Sequence, residues 1–600
     1  MPDAATWLDE VGRWTPTARW PVLIEDERLA PIFIRAFKPE RVIRRASVGS
    51  LPDDRVQRER RMDAAVTRAW GGDPGGTSLA ALRAAKLLPP GVAITSAADD
   101  AWPAAVALAA GRGLPLLFID GNYGQPNDLI SQADTAKLAA DITAAIETTG
   151  LSFRALGDNV DAIALCRSVG ARSRTKLPDA ARAPIPSGNG INADDPLSTI
   201  DLLGRNDDGS RFAVAGWIFG PSDRAAYMAM CSLFLERGSW WFLSGYPSTE
   251  GWSMYAPEEA AKVLGTAGFT TRVSVGEQMS LANWRRLLMG GFDADVLVMN
   301  SKGDSASFSL FKLDNGFVHD IPFLDRPAAL HLIHSWSLTR PADRYTVGGR
   351  LLERGVYAYY GSVQEPALAA FLTPRQLVTR WGGLGPFLIS SRYLDGPLDR
   401  PWRLTAIGDP LMLCIAPVKR TVPKAPLPAE EGDDVRAAAK ACLVRIASAG
   451  ASPKPADFTE AMHGFRVLGD DAPAVALWKI ARTSADTAAA AAKDALPALF
   501  RERDFDQFLA AYRAAPSPDD DARDMLWHLA SARVMKLGAP ILDFLRTQLR
   551  GDDVSIDLAA LLPAIDASKG RAESDRIVQE EMDRTKNEGV RAKLGLLLRR

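Results

Sequence analysis

The runs "ADVLVMN" (294–300) and "ALHLIHS" (329–335) constrain the fold of this chain more than any other feature. Each is an almost unbroken apolar stretch of strand length with no polar alternation, the pattern of a strand covered on both faces. Such strands lie side by side in the middle of a parallel sheet, and ligands bind beyond the carboxyl ends of sheets of this kind. The second run stops at Ser335-Trp336-Ser337, and a later one, "VYAYYG" (356–361), ends at Gly361-Ser362. Any chemistry is to be sought at these ends.

The rest of the first two thirds repeats the rhythm. "WPVLIED" (20–26), "ERVIRR" (40–45), "GVAITS" (91–96), "PLLFI" (115–119) and "SFRALG" (152–157) read as strands. "DAWPAAVALAAGRG" (100–113) and "TAKLAADITAAIETTG" (135–150) read as helices closed by glycine. The charged stretch "GSLPDDRVQRERRMD" belongs on the surface. After the polar stretch "PSGNGINADDP" (186–196), "FAVAGWIFG" (212–220), "SWWFLSG" (239–245) and "TTRVSVG" (270–276) resume the pattern. Asp314-Asn315-Gly316 is a strong hairpin signal. Two consecutive parallel-sheet, Rossmann-like or caspase-like α/β domains are expected, over 1–185 and 200–418.

Beyond "APVKRTVPKAPLPAEEGDD" (416–434), a linker by composition, strand signals vanish. Alanine-rich helical patterns run to Arg600, with breaks near Pro453, Pro473, Pro516 and Gly538. "APAVALWKIA" and "RDMLWHLASA" each set a tryptophan in a similar apolar helix face. They suggest paired helices stacked as a repeat, although no strict period can be counted; the plainer alternative is an ordinary bundle. An all-α, helical-repeat-like domain over 435–600 is expected, and protein partners are its expected use. Homo-oligomerisation stays open.

Composition excludes several classes. A chain of 600 residues exceeds one hydrophobic core, and 47% hydrophobic with 24% charged residues is globular. Lys and Arg total 71 against 73 Asp and Glu, a net charge of −2 that gives no field for nucleic acid. Cys166, Cys231, Cys414 and Cys442 form no C-x-x-C pair and read as small buried residues. "MPDAATWLDEVGRW" lacks the basic start and apolar core of a secretory signal, and no stretch reaches membrane-spanning length. The expectation is a cytoplasmic protein without membrane insertion, or an exported, envelope-associated one if its N-terminus has been processed.

The second α/β region resembles the gingipain-type (C25-like) cysteine peptidases, which share the caspase-like fold. The similarity rests on "DRPWRLTAIGDPLML" (399–413), close to that family's W-x-x-F-G-D-P-S-L element, and on "YTVGGRLLERGVYAYYGSVQEP" (345–366), similar to its helix, glycine and strand ending in G-S. It covers about 220 residues of the chain. The resemblance implies a catalytic His in G-H-G after one strand and a Cys after the next. Here the matching stretches read "SKGDS" and "SWS": Lys302 stands at the His position, Gly303 keeps the following glycine, and Ser335 (or Ser337) stands at the Cys position. Both members of the dyad are absent.

Ser-Lys pairs serve as nucleophile and base in other folds if the lysine is neutral near pH 7. Bringing a lysine from about 10.4 to about 7 costs roughly 4–5 kcal/mol, and Asp304 and Asp343 would oppose it. His331 and His334 are three apart on a strand and point to opposite faces, so they cannot share a metal. His319, before Asp320, reads as a solvated turn residue. "GGDPGG" (71–76) and "GNG" lack the lysine of a phosphate loop. Gly408-Asp409-Pro410 reads as structural, its carboxylate orienting a loop. Residues 91–120 bear a faint similarity to the second type of bacterial cell-wall-binding repeat, with Trp102-Pro103-Ala104-Ala105-Val106 departing from F-P-D-A-L. The expectation is a degenerate, non-catalytic caspase-like protein acting as scaffold or assembly subunit, with no metal and no cofactor. The alternatives are a hydrolase using Ser335 or Ser337 with Lys302, and a cell-envelope adhesion protein.

Overall fold

A computed structural model describes residues 1–176, 194–247, 249, 251–396, 398–416, 432–450, 453–551 and 554–599. Most of the linkers read at 186–196 and 416–434 lies outside them. The chain forms two compact units, Met1–Asp433 and Asp434–Arg600.

The first unit is built on one ten-stranded sheet. Its strands in chain order are β1 (Gly91–Thr95), β2 (Leu116–Phe118), β3 (Ala162–Cys166), β4 (Val214–Ile218), β5 (Ser239–Ser244), β6 (Thr270–Ser274), β7 (Val296–Asn300), β8 (Ala328–Ile333), β9 (Val356–Ser362) and β10 (Leu404–Ile407). In space they run β6-β5-β7-β8-β9-β10-β4-β3-β1-β2. The first five are mutually parallel, β9 meets β10 antiparallel, and β10 through β2 are again parallel. The two α/β regions read from the sequence therefore share a single sheet. The joint is β3 with β4, two fully buried apolar strands that offer no edge to end a sheet on. The antiparallel step turns the halves over, so their carboxyl ends open on opposite edges.

The long apolar runs lie in the middle, with Val296 opposite Ala329 and Asn300 opposite Ile333. Helices cover the faces. Trp102–Arg112 (α1) is buried at every residue from Trp102 to Ala110 and packs on Ser222–Phe234 (α2). A Cβ on Gly111 would stand 2.6 Å from Leu233. The alanines of this segment thus serve close helix packing, and no side chain from Trp102 to Ala110 is exposed for a glycan.

The hairpin is present, but its turn is not where Asn315-Gly316 suggested. Ser307–Ser309 pairs with Asn315–Phe317, which puts both residues inside the second strand and Leu310 to Asp314 in the turn. Gly316 is opposite Phe308, whose ring fills the space a side chain would need. Glycine here answers to the ring and not to a turn.

Among the described residues the second unit forms ten α-helices in five pairs. The first members are α3 (Val435–Ser448), α5 (Asp471–Ala481), α7 (Phe505–Ala514), α9 (Ala539–Arg546) and α11 (Arg571–Arg584). The second members are α4 (Pro455–Leu468), α6 (Ala485–Arg501), α8 (Asp520–Ser531), α10 (Val554–Lys569) and α12 (Glu588–Leu597). First helices begin at 435, 471, 505, 539 and 571, steps of 36, 34, 34 and 32. Second helices touch one another in order, α4 with α6, α6 with α8, α8 with α10, α10 with α12. This is a solenoid with a period near 34, in which each pair buries its apolar face on the next. Trp478 lies in a first helix and Trp527 in a second, so the two tryptophan segments are not equivalent repeat positions. Among the described residues no helix is long and apolar enough to cross a membrane.

Candidate functional site

The candidate site lies at the carboxyl ends of β5, β7 and β8. Lys302 is two residues past Asn300, and Ser335 two past Ile333, so the positions are in register on neighbouring parallel strands. Both are half-buried. Lys302 Nζ sits 4.0 Å above the centre of the Trp252 ring, a cation–π contact that commits its charge to an aromatic face. Ser337 is fully buried, packed where a side chain on Gly361 would stand, and is out of a substrate's reach.

Tyr246 reaches over the two strand ends, which are bonded directly to each other, the Ser301 N–H donating to the Ile333 carbonyl at 3.0 Å. Its hydroxyl lies 3.4 Å from the Ser301 carbonyl oxygen and 3.3 Å from that of Ile333. The ring packs edge-on against Trp252, with centroids 4.5 Å apart. A chain of contacts thus runs from Lys302 through Trp252 and Tyr246 to both strand ends. Neither aromatic was singled out from the sequence; the signal was available in "SGYPSTEGW", aromatics placed directly after a buried strand.

The loops around these strand ends are fixed by the remaining residues. Gly303 has φ +155°, and any side chain there would collide with the Ser307 carbonyl and with His334 Nε2. Asp304 accepts the Ala306 and Ser307 N–H groups at 2.8 and 2.9 Å and closes the turn. Ser362 Oγ donates to the His334 carbonyl at 2.6 Å, and its own carbonyl accepts the Leu338 N–H at 2.8 Å. Thr339 Oγ1 reaches the carbonyls of Trp336 and Val363. Trp336 has φ +57°, a left-handed residue held in place by these bonds. Gly361 and Ser362 therefore clamp the Ser335–Ser337 loop onto β9.

An imidazole does stand at the strand ends, although on β8 and not β7. His334 is buried, and its Nε2 is 2.9 Å from the Ser307 carbonyl, which requires that nitrogen to carry the proton. Burial pushes it down to about 4, so it is neutral at pH 7. His331 lies on the opposite strand face, stacked on Tyr360 at 5.1 Å and edge-on to Phe371 and Trp381. Neither of its ring nitrogens has a hydrogen-bond partner among the described residues, and burial pushes it down to about 3.

His319 is not solvated. It is buried, its ring stacks on Phe317 at 5.8 Å, and Nε2 lies 3.3 Å from Asp320 Oδ2. Asp320, held well below the usual carboxylate range by His319 and Arg285 against its burial, draws it inward. Asp409 is far from the candidate site. It is buried, accepts from Arg112 Nε and Nη2 at 3.0 and 2.7 Å, and takes the Leu411 N–H at 2.9 Å. Gly408 turns at φ +119°, and the segment through Pro410 crosses β4 over Gly216, where a Cβ would be 2.5 Å from the Gly408 oxygen. All three residues of that motif join sheet to helices.

All four cysteines are buried and unbridged. Among the described residues one cluster has the makings of a metal site, Cys442, Asp457 and Glu460. Arg445 already lies in it, 2.6 Å from Asp457, 3.2 Å from Glu460 and 2.9 Å from Cys442 Sγ. A guanidinium there repels a cation.

No protein-family model and no curated protein matches the chain. Among solved structures it is similar to a protein described as "Structure of Protease", at 10% identity and a TM-score of 0.35, over 57% of this chain and 82% of the other. It is also similar to the Arg-specific cysteine proteinase gingipain R, at 10% identity and a TM-score of 0.34, over 54% of this chain and 78% of the other. Both are peptidases by description. At this level the likeness carries no argument, and the roles of residues here rest on this chain's own geometry.

Proposed function

We propose that the chain is a non-catalytic, caspase-like binding protein that acts as a scaffold or subunit of an assembly. The observation that carries this reading is Tyr246: its hydroxyl lies over the ends of β7 and β8, within reach of the Ser301 and Ile333 carbonyls, where a nucleophile and base would have to meet. Around these ends no pair remains to do the work. Lys302 is engaged by Trp252, Ser337 is buried, and the His334 imidazole spends its N–H on a backbone carbonyl. Fixed loops and aromatic faces suit recognition better than turnover. The helical unit supports the same reading, since stacked helix pairs expose long surfaces that suit protein partners.

The test is direct. The purified chain, incubated with peptide libraries and with serine- and thiol-directed covalent probes, is expected to cleave nothing and to take no label. Ser335 is the one candidate hydroxyl left half-exposed, so it carries the hydrolase alternative. Labelling of Ser335 that Lys302→Ala abolishes would replace the binding reading with a Ser-Lys hydrolase.

A further inference from the structure

Lys302 is a half-buried cation whose ammonium pairs with no carboxylate among the described residues and sits on the Trp252 ring. The nearest acidic residue in sequence, Asp304, is turned to the backbone N–H groups of Ala306 and Ser307. Elsewhere on the α/β unit a half-buried cation has found a partner, as Arg326 has in Asp295. A half-buried ammonium interacts more strongly with an incoming anion than one in bulk water, because the local dielectric is lower. The face of Trp252 holds it from one side only. Met254, two residues past Trp252, is 63% exposed. The Ile333 carbonyl accepts the Ser301 N–H at 3.0 Å, and the Tyr246 hydroxyl lies within reach of it and of the Ser301 carbonyl, so an incoming chain is not held through them. Recognition there falls to side chains.

Resting on the non-catalytic reading above, we infer that the surface around Lys302 docks an acidic segment of a partner protein. Lys302 pairs with one Asp or Glu side chain, and Trp252 and Met254 receive an apolar neighbour. Aromatic and methionine side chains around a single charge are the composition of a protein-recognition patch. The geometry also sets the salt response: a single ion pair at a half-exposed site weakens as ionic strength rises.

Fluorescein-labelled degenerate peptide pools with a fixed central Glu, Gln or Lys, titrated with the full-length chain and followed by anisotropy, test the inference. The Glu pool is expected to bind roughly tenfold more tightly than the Gln pool, a difference of about 1.4 kcal/mol. The Lys pool is expected to bind weakest. Lys302→Met should bring the Glu pool down to the Gln pool's affinity, and Lys302→Arg should keep most of the difference. Met254→Ser should weaken Glu and Gln pools alike. Equal binding of the three pools, no binding of the Glu pool, or a Glu preference that survives Lys302→Met in a variant that melts like the parent would each overturn it. None of those outcomes touches the non-catalytic reading, which fails only on cleavage or on Ser335 labelling.

Discussion

The two units bury arginine–aspartate networks of opposite reach. In the α/β unit the Asp201 carboxylate receives Arg211 Nη2 at 3.1 Å, Arg392, and the Trp402 N–H at 2.6 Å, while Asp399 receives Arg211 Nε at 3.0 Å. The bonds from Arg392 and Trp402 span 191 and 201 residues of sequence. In the helical unit Arg550 binds Asp557 at 2.6 Å and Asp524 at 3.1 Å, across 7 and 26 residues. One network closes a long chain on itself, and the other fastens a helix pair to its neighbour. The contrast teaches that the α/β unit is held by contacts that exist only when the whole sheet is formed. The solenoid is held by contacts that each pair makes with the next.

Asp201→Ala should break that comparison hardest. It leaves Arg205, Arg211 and Arg392 buried around Asp399 alone, and unpaired buried charges cost about 3–5 kcal/mol. Urea unfolding followed by tryptophan fluorescence should show the α/β unit losing its midpoint in one cooperative step. A loss below about 1 kcal/mol would show that the network is incidental to the closure of the sheet.

Arg550→Met should cost a similar amount with a smaller reach, since it leaves Asp524 and Asp557 facing each other without their guanidinium. Hydrogen exchange should show α8 to α10 losing protection while α3 to α6 and the ten strands keep theirs. Simultaneous loss across all ten helices would mean that the solenoid folds as one cooperative body.

The same contrast explains what could be read from sequence. β7 and β8 declared themselves because a strand buried on both faces leaves no freedom in residue type. Lys302 and Ser335 were found through those strands. The period of the solenoid stayed hidden because its signal is spacing and not identity: the residues before the five first helices are Asp434, Asp470, Asp504, Gly538 and Gly570. Tyr246 and Trp252 act through contacts with residues up to 87 positions away, which no local pattern carries. Gly316 misplaced the turn because its reason is Phe308 across the hairpin. His319 was misread for a similar reason, the partner being a buried Asp320 and a stacked Phe317.

His331→Phe sharpens the comparison at the centre of the sheet. Phenylalanine keeps the stack on Tyr360 and removes two buried nitrogens that lack hydrogen bonds, so a gain of roughly 1–3 kcal/mol is expected. The pH dependence follows from burial pushing the folded histidine down to about 3. Below about 6.5 the unfolded chain takes up a proton that the folded chain refuses until about 3, so the parent loses stability as pH falls through that window. The advantage of the variant should be about 2 kcal/mol larger at pH 5 than at pH 7. Acidification from pH 7 to pH 5 should therefore loosen the sheet around His331. A pH-independent difference between His331→Phe and the parent would refute the assignment.

Tyr246→Phe is the mildest change and the most telling for the site. It keeps the ring and its contact with Trp252 while deleting the hydroxyl that serves the carbonyls of Ser301 and Ile333. The expected stability loss is about 0.5–1.5 kcal/mol, the worth of an ordinary hydrogen bond. Because the ring still packs on Trp252 at the strand ends, Ser335 should remain unlabelled by serine-directed probes in this variant. Tyr246→Ala removes the ring as well and gives the complementary measurement, in which Ser335 can be probed without its cover. If Ser335 is inert even then, the pairing with Lys302 lacks chemistry of its own. If it labels only in the alanine variant, the tyrosine is what covers an otherwise competent pair at these strand ends.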